Sequence, residues 1–156
     1  MLTLGRHYQP VDLLPQRPPM LLLDAIDDYG EDWLHARINI HAGSFFFDPP
    51  NGVPGYVGLE YMAQAALAHG GIEIAQRSER PQIALLIGCR EYVCSRAHFA
   101  AGVALIVEVQ LILRDAADFT AYDCRIHCEG ELLARSILKA VRPKDLAYVI
   151  QSQSHD

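Results

Sequence analysis

From Gly55 to about Arg77 runs the one long segment with helical spacing, and it is small or apolar on nearly every side. Leu59, Ala63, Ala66, Leu67, Gly70 and Ile74 recur at that spacing, while Gly58, Ala65, Ala68 and Gly71 fill the gaps between them. A helix without a polar face has to be enclosed by other structure. Gly70-Gly71 lowers its intrinsic propensity by about 1–2 kcal/mol, so close contact is expected to compensate there. After Pro81 every segment reads as strand. Gln82 to Val93 is one run with a bulge expected at Gly88, Val103 to Leu113 alternates, and Phe119 to Cys128 returns. Glu129-Gly130 turns the chain, and Glu131 to Val141 closes the series.

The first part of the chain adds two strands. Val11-Asp12-Leu13-Leu14 makes a short helical turn stopped by Pro15, and Pro18-Pro19 forces an extended path into a strand over Met20 to Ile26. Residues 27–31 carry turn chemistry. From Trp33 to Ile40, Leu34, Ala36, Ile38 and Ile40 share one face and His35, Arg37 and Asn39 the other, which is a half-buried strand paired with the one before. Strand, strand, helix and four further strands make an α+β chain: one antiparallel sheet wrapped around one long central helix. Such a sheet leaves an edge for a second copy to continue. Residues 1–145 read as a single domain and 146–156 as a C-terminal tail, with Gln151 to Asp156 disordered.

The length of 156 residues suits one core, and a net charge of −6 with no basic stripe argues against a nucleic-acid surface. The most apolar stretch, Leu59 to Ala75, carries Glu60, Gln64, His69 and Glu73, so no membrane span is expected. The opening residues lack a signal-peptide apolar block, which makes the cytoplasm the default compartment. Four cysteines stand at 89, 94, 124 and 128. Cys124 and Cys128 lie about 13 Å apart along a strand, too far to share one ion, so the cysteines read as buried small hydrophobes.

Chemistry concentrates at the helix start, Pro54-Gly55-Tyr56-Val57-Gly58-Leu59-Glu60, with Gln64 one turn beyond Glu60 on the same face. A backbone N–H at Gly55, with the helix dipole behind it, suits a developing oxyanion. A carboxyl walled in by apolar groups suits a general acid. Equally, a glutamate early in a helix answers the dipole with no catalytic role at all.

The segment Leu13-Leu14-Pro15-Gln16-Arg17-Pro18-Pro19-Met20-Leu21-Leu22-Leu23-Asp24 resembles the opening of the hotdog-fold 3-hydroxyacyl-acyl-carrier-protein dehydratases. Phe45-Phe46, Pro54-Gly55 followed by Leu59-Glu60-Tyr61-Met62-Ala63-Gln64-Ala65, and Arg96-Ala97-His98-Phe99 are similar to further motifs of that family, over residues 11 to about 142. The family's loop histidine is missing. Phe47-Asp48-Pro49-Pro50-Asn51-Gly52 stands in its place, which resembles the branch of dehydratase homologues from aryl-polyene-type clusters.

The resemblance implies a hotdog fold, Glu60 as catalytic carboxyl, and substrate contacts from Gly55, Gln64, Phe46 and Asp48. It implies an acyl-carrier-protein or CoA thioester substrate and no metal or organic cofactor. It also implies a homodimer in isolation and a heterodimer with a histidine-bearing hotdog dehydratase. At least two of Phe45, Phe46 and Phe47 are expected in the core. Among the histidines, His41 lies nearest the loop, His35 reads as solvated, His69 as a helix-flank or interface residue, His98 as part of a strand connection, and His127 as facing out or across a strand pair. A thioesterase using Glu60 and Gly55, and a non-catalytic acyl-binding subunit, are the alternative readings.

Overall fold

The computed structural model describes residues 5–78 and 84–142, so the tail lies outside the described residues. In chain order come α1 (Pro10–Leu13), β1 (Ala25–Tyr29), β2 (Trp33–Asn39), a two-residue β3 (Val53–Pro54), a 3-10 turn (Gly55–Val57) and the long helix α2 (Gly58–Gln76). Then follow β4 (Leu85–Cys94), β5 (His98–Phe99), β6 (Ala104–Arg114), β7 (Phe119–Cys128) and β8 (Glu131–Val141). Six strands form one sheet in the order β1-β2-β6-β7-β8-β4, and β3 pairs with β5 apart from it. All pairings are antiparallel.

Alternation sets which residues meet the helix. Leu34, Ala36 and Ile38 from β2, Leu105, Val107 and Val109 from β6, and Cys124 and Ile126 from β7 are buried in one cluster with Tyr61, Met62, Ala65, Ala68 and Ile72 of α2. Each fully buried large apolar side chain contributes about 1.5–3 kcal/mol. The opposite side of α2 is covered by the N-terminal segment, whose Leu13, Leu14 and Leu23 join the same cluster. The helix is therefore buried nearly all round, as its composition demanded.

Glycines let the cover come close. A Cβ on Gly71 would sit 2.5 Å from the Leu13 carbonyl oxygen, and one on Gly58 would sit 2.3 Å from the Tyr92 hydroxyl. Gly70 instead faces the Arg142 guanidinium, whose nearer Nη a Cβ there would meet at 2.7 Å.

Three sequence expectations shift. Met20 to Leu23 is not a strand: the Met20 N–H turns back to the Arg17 carbonyl at 2.9 Å, and Gln64 takes the backbone of Met20 and Leu22. The strand starts instead at Ala25, paired with Arg37, so Asp27 to Tyr29 extend it and the turn falls at residues 30–32. The α-helix begins at Gly58 rather than Gly55, because the Gly55 N–H bonds the Ala97 carbonyl at 2.8 Å and draws the helix start toward the β3–β5 pair. The register of β4 on β8 does slip between Leu86 and Gly88, and again between Arg90 and Val93. Cys124 is buried and Cys94 and Cys128 half-buried, but Cys89 is exposed on the edge strand; all four are free thiols.

Strand β4 ends the sheet with Leu86, Ile87 and Val93 about half exposed, at 47%, 52% and 49%. Since backbone cannot retreat as a side-chain tip can, Gly71→Ala is expected to destabilise the chain by about 1–3 kcal/mol in urea unfolding. Gly70→Ala is expected to leave stability within about 1 kcal/mol, its helix-propensity gain offsetting the displacement of a flexible arginine.

Candidate active site

The helix start brings Glu60 and Gln64 together. Gln64 is 1% exposed. Its Nε2 donates to the Met20 carbonyl at 2.8 Å and to Glu60 Oε1 at 3.1 Å, and its Oε1 accepts the Leu22 N–H at 2.9 Å. Both amide hydrogens and the carbonyl are thus used inside the chain. Gln64 ties α2 to the N-terminal segment and aims the Glu60 carboxyl. Its amide has no hydrogen left for a substrate.

Glu60 itself is exposed in the single chain, not walled in by apolar groups. It opens onto a groove of about 340 Å³ that runs along α2 past Ala63, Leu67 and Gly70, walled on the sheet side by Tyr122 and Leu138.

Gly55 does not offer the amide expected of it. Its N–H is spent on Ala97, its carbonyl accepts the Tyr92 hydroxyl at 2.6 Å, and a side chain there would meet the Arg96 carbonyl. Phe45 and Phe46 are 36% and 48% exposed and meet edge to face at 4.2 Å, so only Phe47 packs on the core. The expectation that at least two of the three would be core is corrected by this loop, in which Phe46 takes a positive φ of 68°.

Asp48 caps a tight turn, its backbone exchanging bonds with Gly52, and its carboxylate reaches His98 Nε2 at 3.3 Å. His98 stands across from Pro54 in the β3–β5 pair. Neither Phe46 nor Asp48 lines the groove beside Glu60.

Sequence reasoning missed a buried cluster behind the groove wall at Tyr122. His69 is 5% exposed, so the expectation of a helix-flank or interface residue is wrong. Its Nε2 lies 2.8 Å from the Glu31 carbonyl and its Nδ1 2.9 Å from the Tyr122 hydroxyl. The carbonyl can only accept, so Nε2 carries the hydrogen and Nδ1 accepts from Tyr122. Burial lowers the His69 pKa, which keeps the ring neutral, against weaker raising effects from the Glu31 carbonyl, Asp32 and Glu73. Burial also pushes the Tyr122 hydroxyl up to about 12, with Arg114 and Arg142 opposing it. Arg114 bonds Glu73 at 2.9 Å, and the same carboxylate takes Arg77 at 3.2 Å. The only signal for this cluster in the sequence was the inward position of Tyr122 on its strand.

Among the described residues, three further histidines have partners other than Glu60. The His35 ring packs tilted against Trp33 with centroids 4.7 Å apart, His41 Nδ1 accepts the Gly43 N–H at 3.0 Å, and His127 approaches Glu108 at 3.3 Å.

A family model described as ApeP-like, ApeP dehydratase, matches residues 8–151. The chain belongs to this family. A solved chain of the ApeI:P dehydratase heterocomplex from Xenorhabdus doucetiae is similar to this ApeP-like chain at 26% identity and a TM-score of 0.87, over 95% of this chain and 99% of that one. The E. coli PaaI protein from the phenylacetic acid degradation operon aligns at 16% identity with a TM-score of 0.59, over 75% and 81% of the two chains. A mutant of the thioesterase SAV0944 from Staphylococcus aureus aligns at 13% and 0.60, over 76% and 93%. The last two show the fold alone, a hotdog fold. No curated protein matches. No helix among the described residues of the ApeP-like chain is long and apolar enough to cross a membrane.

Replacing Gln64 by Leu strands the Leu22 N–H and the Met20 carbonyl and is expected to cost about 2 kcal/mol in urea unfolding. A second expectation concerns acid. The fold keeps His69 neutral, so the unfolded chain takes up that proton first. Stability is full above the ordinary histidine value of about 6.5 and falls as the pH drops below it. Melting curves between pH 7 and pH 5 should show this loss, and His69→Gln should flatten it; an equal slope in the variant would place the titration elsewhere.

Proposed function

We propose that this chain is one subunit of a dehydratase that removes water from a 3-hydroxyacyl thioester, with a histidine-bearing hotdog subunit as its partner. The observation that carries this reading is the groove at Glu60. A carboxyl is aimed there by Gln64, yet among the described residues lining the groove there is no histidine. In this reading half of an acid–base pair is present, and another chain supplies the remaining half.

The chemistry divides accordingly. The partner's imidazole removes the proton next to the thioester carbonyl, and the Glu60 carboxyl gives its proton to the departing 3-hydroxyl. Water leaves, a 2-enoyl thioester forms, and the histidine's proton returns to the carboxylate before the next turnover. Each proton transfer by a positioned group is worth roughly 10²–10⁴-fold. The apolar edge of β4 suits docking, since an added strand would satisfy its backbone and cover Leu86, Ile87 and Val93. Likeness to a chain of a named dehydratase heterocomplex supports the pairing. The acyl group is carried on an acyl carrier protein or CoA, in fatty-acid or polyene-type biosynthesis.

Co-expression with a histidine-bearing hotdog dehydratase is expected to yield a complex on size-exclusion chromatography. It should dehydrate 3-hydroxyacyl carrier protein, while this chain alone does not. Glu60→Gln should leave the complex intact and lower its turnover by about 10²–10⁴-fold. Full activity in that variant would remove Glu60 from the reaction.

A further inference from the structure

Arg142 follows directly on β8 and lies at the end of the groove remote from Glu60. Its backbone N–H reaches the Asp118 carbonyl at 3.4 Å, and its guanidinium lies against Gly70, where any side chain would displace it. The Nε atom is buried and, among the described residues, has no hydrogen-bond partner. Among the described residues the guanidinium forms no ion pair. Its neighbours differ: Glu73 is already taken by Arg77 and Arg114. Three arginines (77, 114 and 142) and two acids (Glu73 and Asp118) line this end, leaving one positive charge in excess.

Burial draws the Arg142 pKa below the ordinary arginine value, chiefly by desolvation, with Tyr122 and Asp118 acting the other way. A guanidinium nevertheless stays charged in a protein. A charged, partly desolvated group with a free donor is an unfavourable arrangement unless something with acceptor oxygens meets it. The planar fork fits a carboxylate or phosphate better than any other common group. Ten helical residues separate Glu60 from Gly70, roughly 15 Å of rise. That span is within reach of one extended acyl chain or one pantetheine arm.

We propose that this end of the groove is an oxyanion-binding subsite, in which Arg142 receives a carboxylate or phosphate carried by the molecule whose thioester lies at Glu60. The subsite itself stands on the groove and the unpartnered guanidinium; only the choice of thioester-type ligands rests on the dehydratase reading. Two sources share this chemistry: an acidic group at the far end of the acyl chain, and the phosphate of a pantetheine carrier arm.

Isothermal titration of the full chain separates them. One arm compares an ω-carboxyacyl N-acetylcysteamine thioester with its methyl ester, and the other compares 4′-phosphopantetheine with pantetheine. In one arm the charged probe is expected to bind at least about tenfold tighter than its neutral counterpart, and Arg142→Gln is expected to erase that preference. Equal binding of charged and neutral probes in both arms would overturn the subsite, as would a preference that survives Arg142→Gln. Should the variant not fold, the ¹⁵N resonance of the Arg142 side-chain Nε–H in the unaltered chain decides: it shifts with the charged probe, or it stays and the subsite is rejected. Because the readout is binding, a paired enzyme active without any charge preference would sink this inference alone. A charge preference in a pair that does not dehydrate would sink only the dehydratase reading.

Discussion

Helix α2 has no face it can leave in water, and that constraint organises the rest of the molecule. Twelve of its residues, from Gly58 to Ile74, are buried. The sheet covers one side, the N-terminal segment another, and the Tyr92 hydroxyl closes over Gly58 at its start. Over its first half the helix is left partly uncovered along a stripe through Glu60, Ala63 and Leu67, and that stripe is the floor of the groove. The groove is thus what is left when the enclosure of the helix is incomplete. The carboxyl proposed as the acid stands on that stripe.

Gln64 shows how fold and site share the same atoms. An amide buried on the helix would be costly without partners. Here it serves as the join between the Met20–Leu22 backbone and the helix, and its last hydrogen steadies Glu60. The Glu60 carboxyl is oriented by the same side chain that holds the N-terminal cover in place, so its geometry depends on the integrity of the fold around it.

Much of this was readable from residues alone, and the failures share a cause. Period-two alternation in β2, β6 and β8 and the small-residue run in α2 report burial directly, so the layers followed from them. Met20 to Leu23 looked like a strand because apolar runs report burial and not pairing; a side chain 42 residues away took their backbone instead. Gly55 looked like a free donor because nothing local reveals that Ala97 lies opposite it. His69 was misread for the same reason, since its two partners come from Glu31 and from Tyr122 on β7. Glu60 and Gln64 were legible because their relation is a single helical turn. Arg142 was not, because its place opposite Gly70 exists only once the sheet has wrapped the helix.

The bare rim of β4 has a consequence for the life of the chain in a cell. Leu86, Ile87 and Val93 lie half uncovered on a strand of ten residues whose outer backbone edge is unpaired among the described residues, which is a template for any other strand it meets. Whatever covers that rim adds to stability by mass action, in proportion to how far its concentration exceeds the dissociation constant. A chain made in excess of its cover would be left with the rim open to self-association. Balanced synthesis of the two would then be a condition of yield as much as of chemistry.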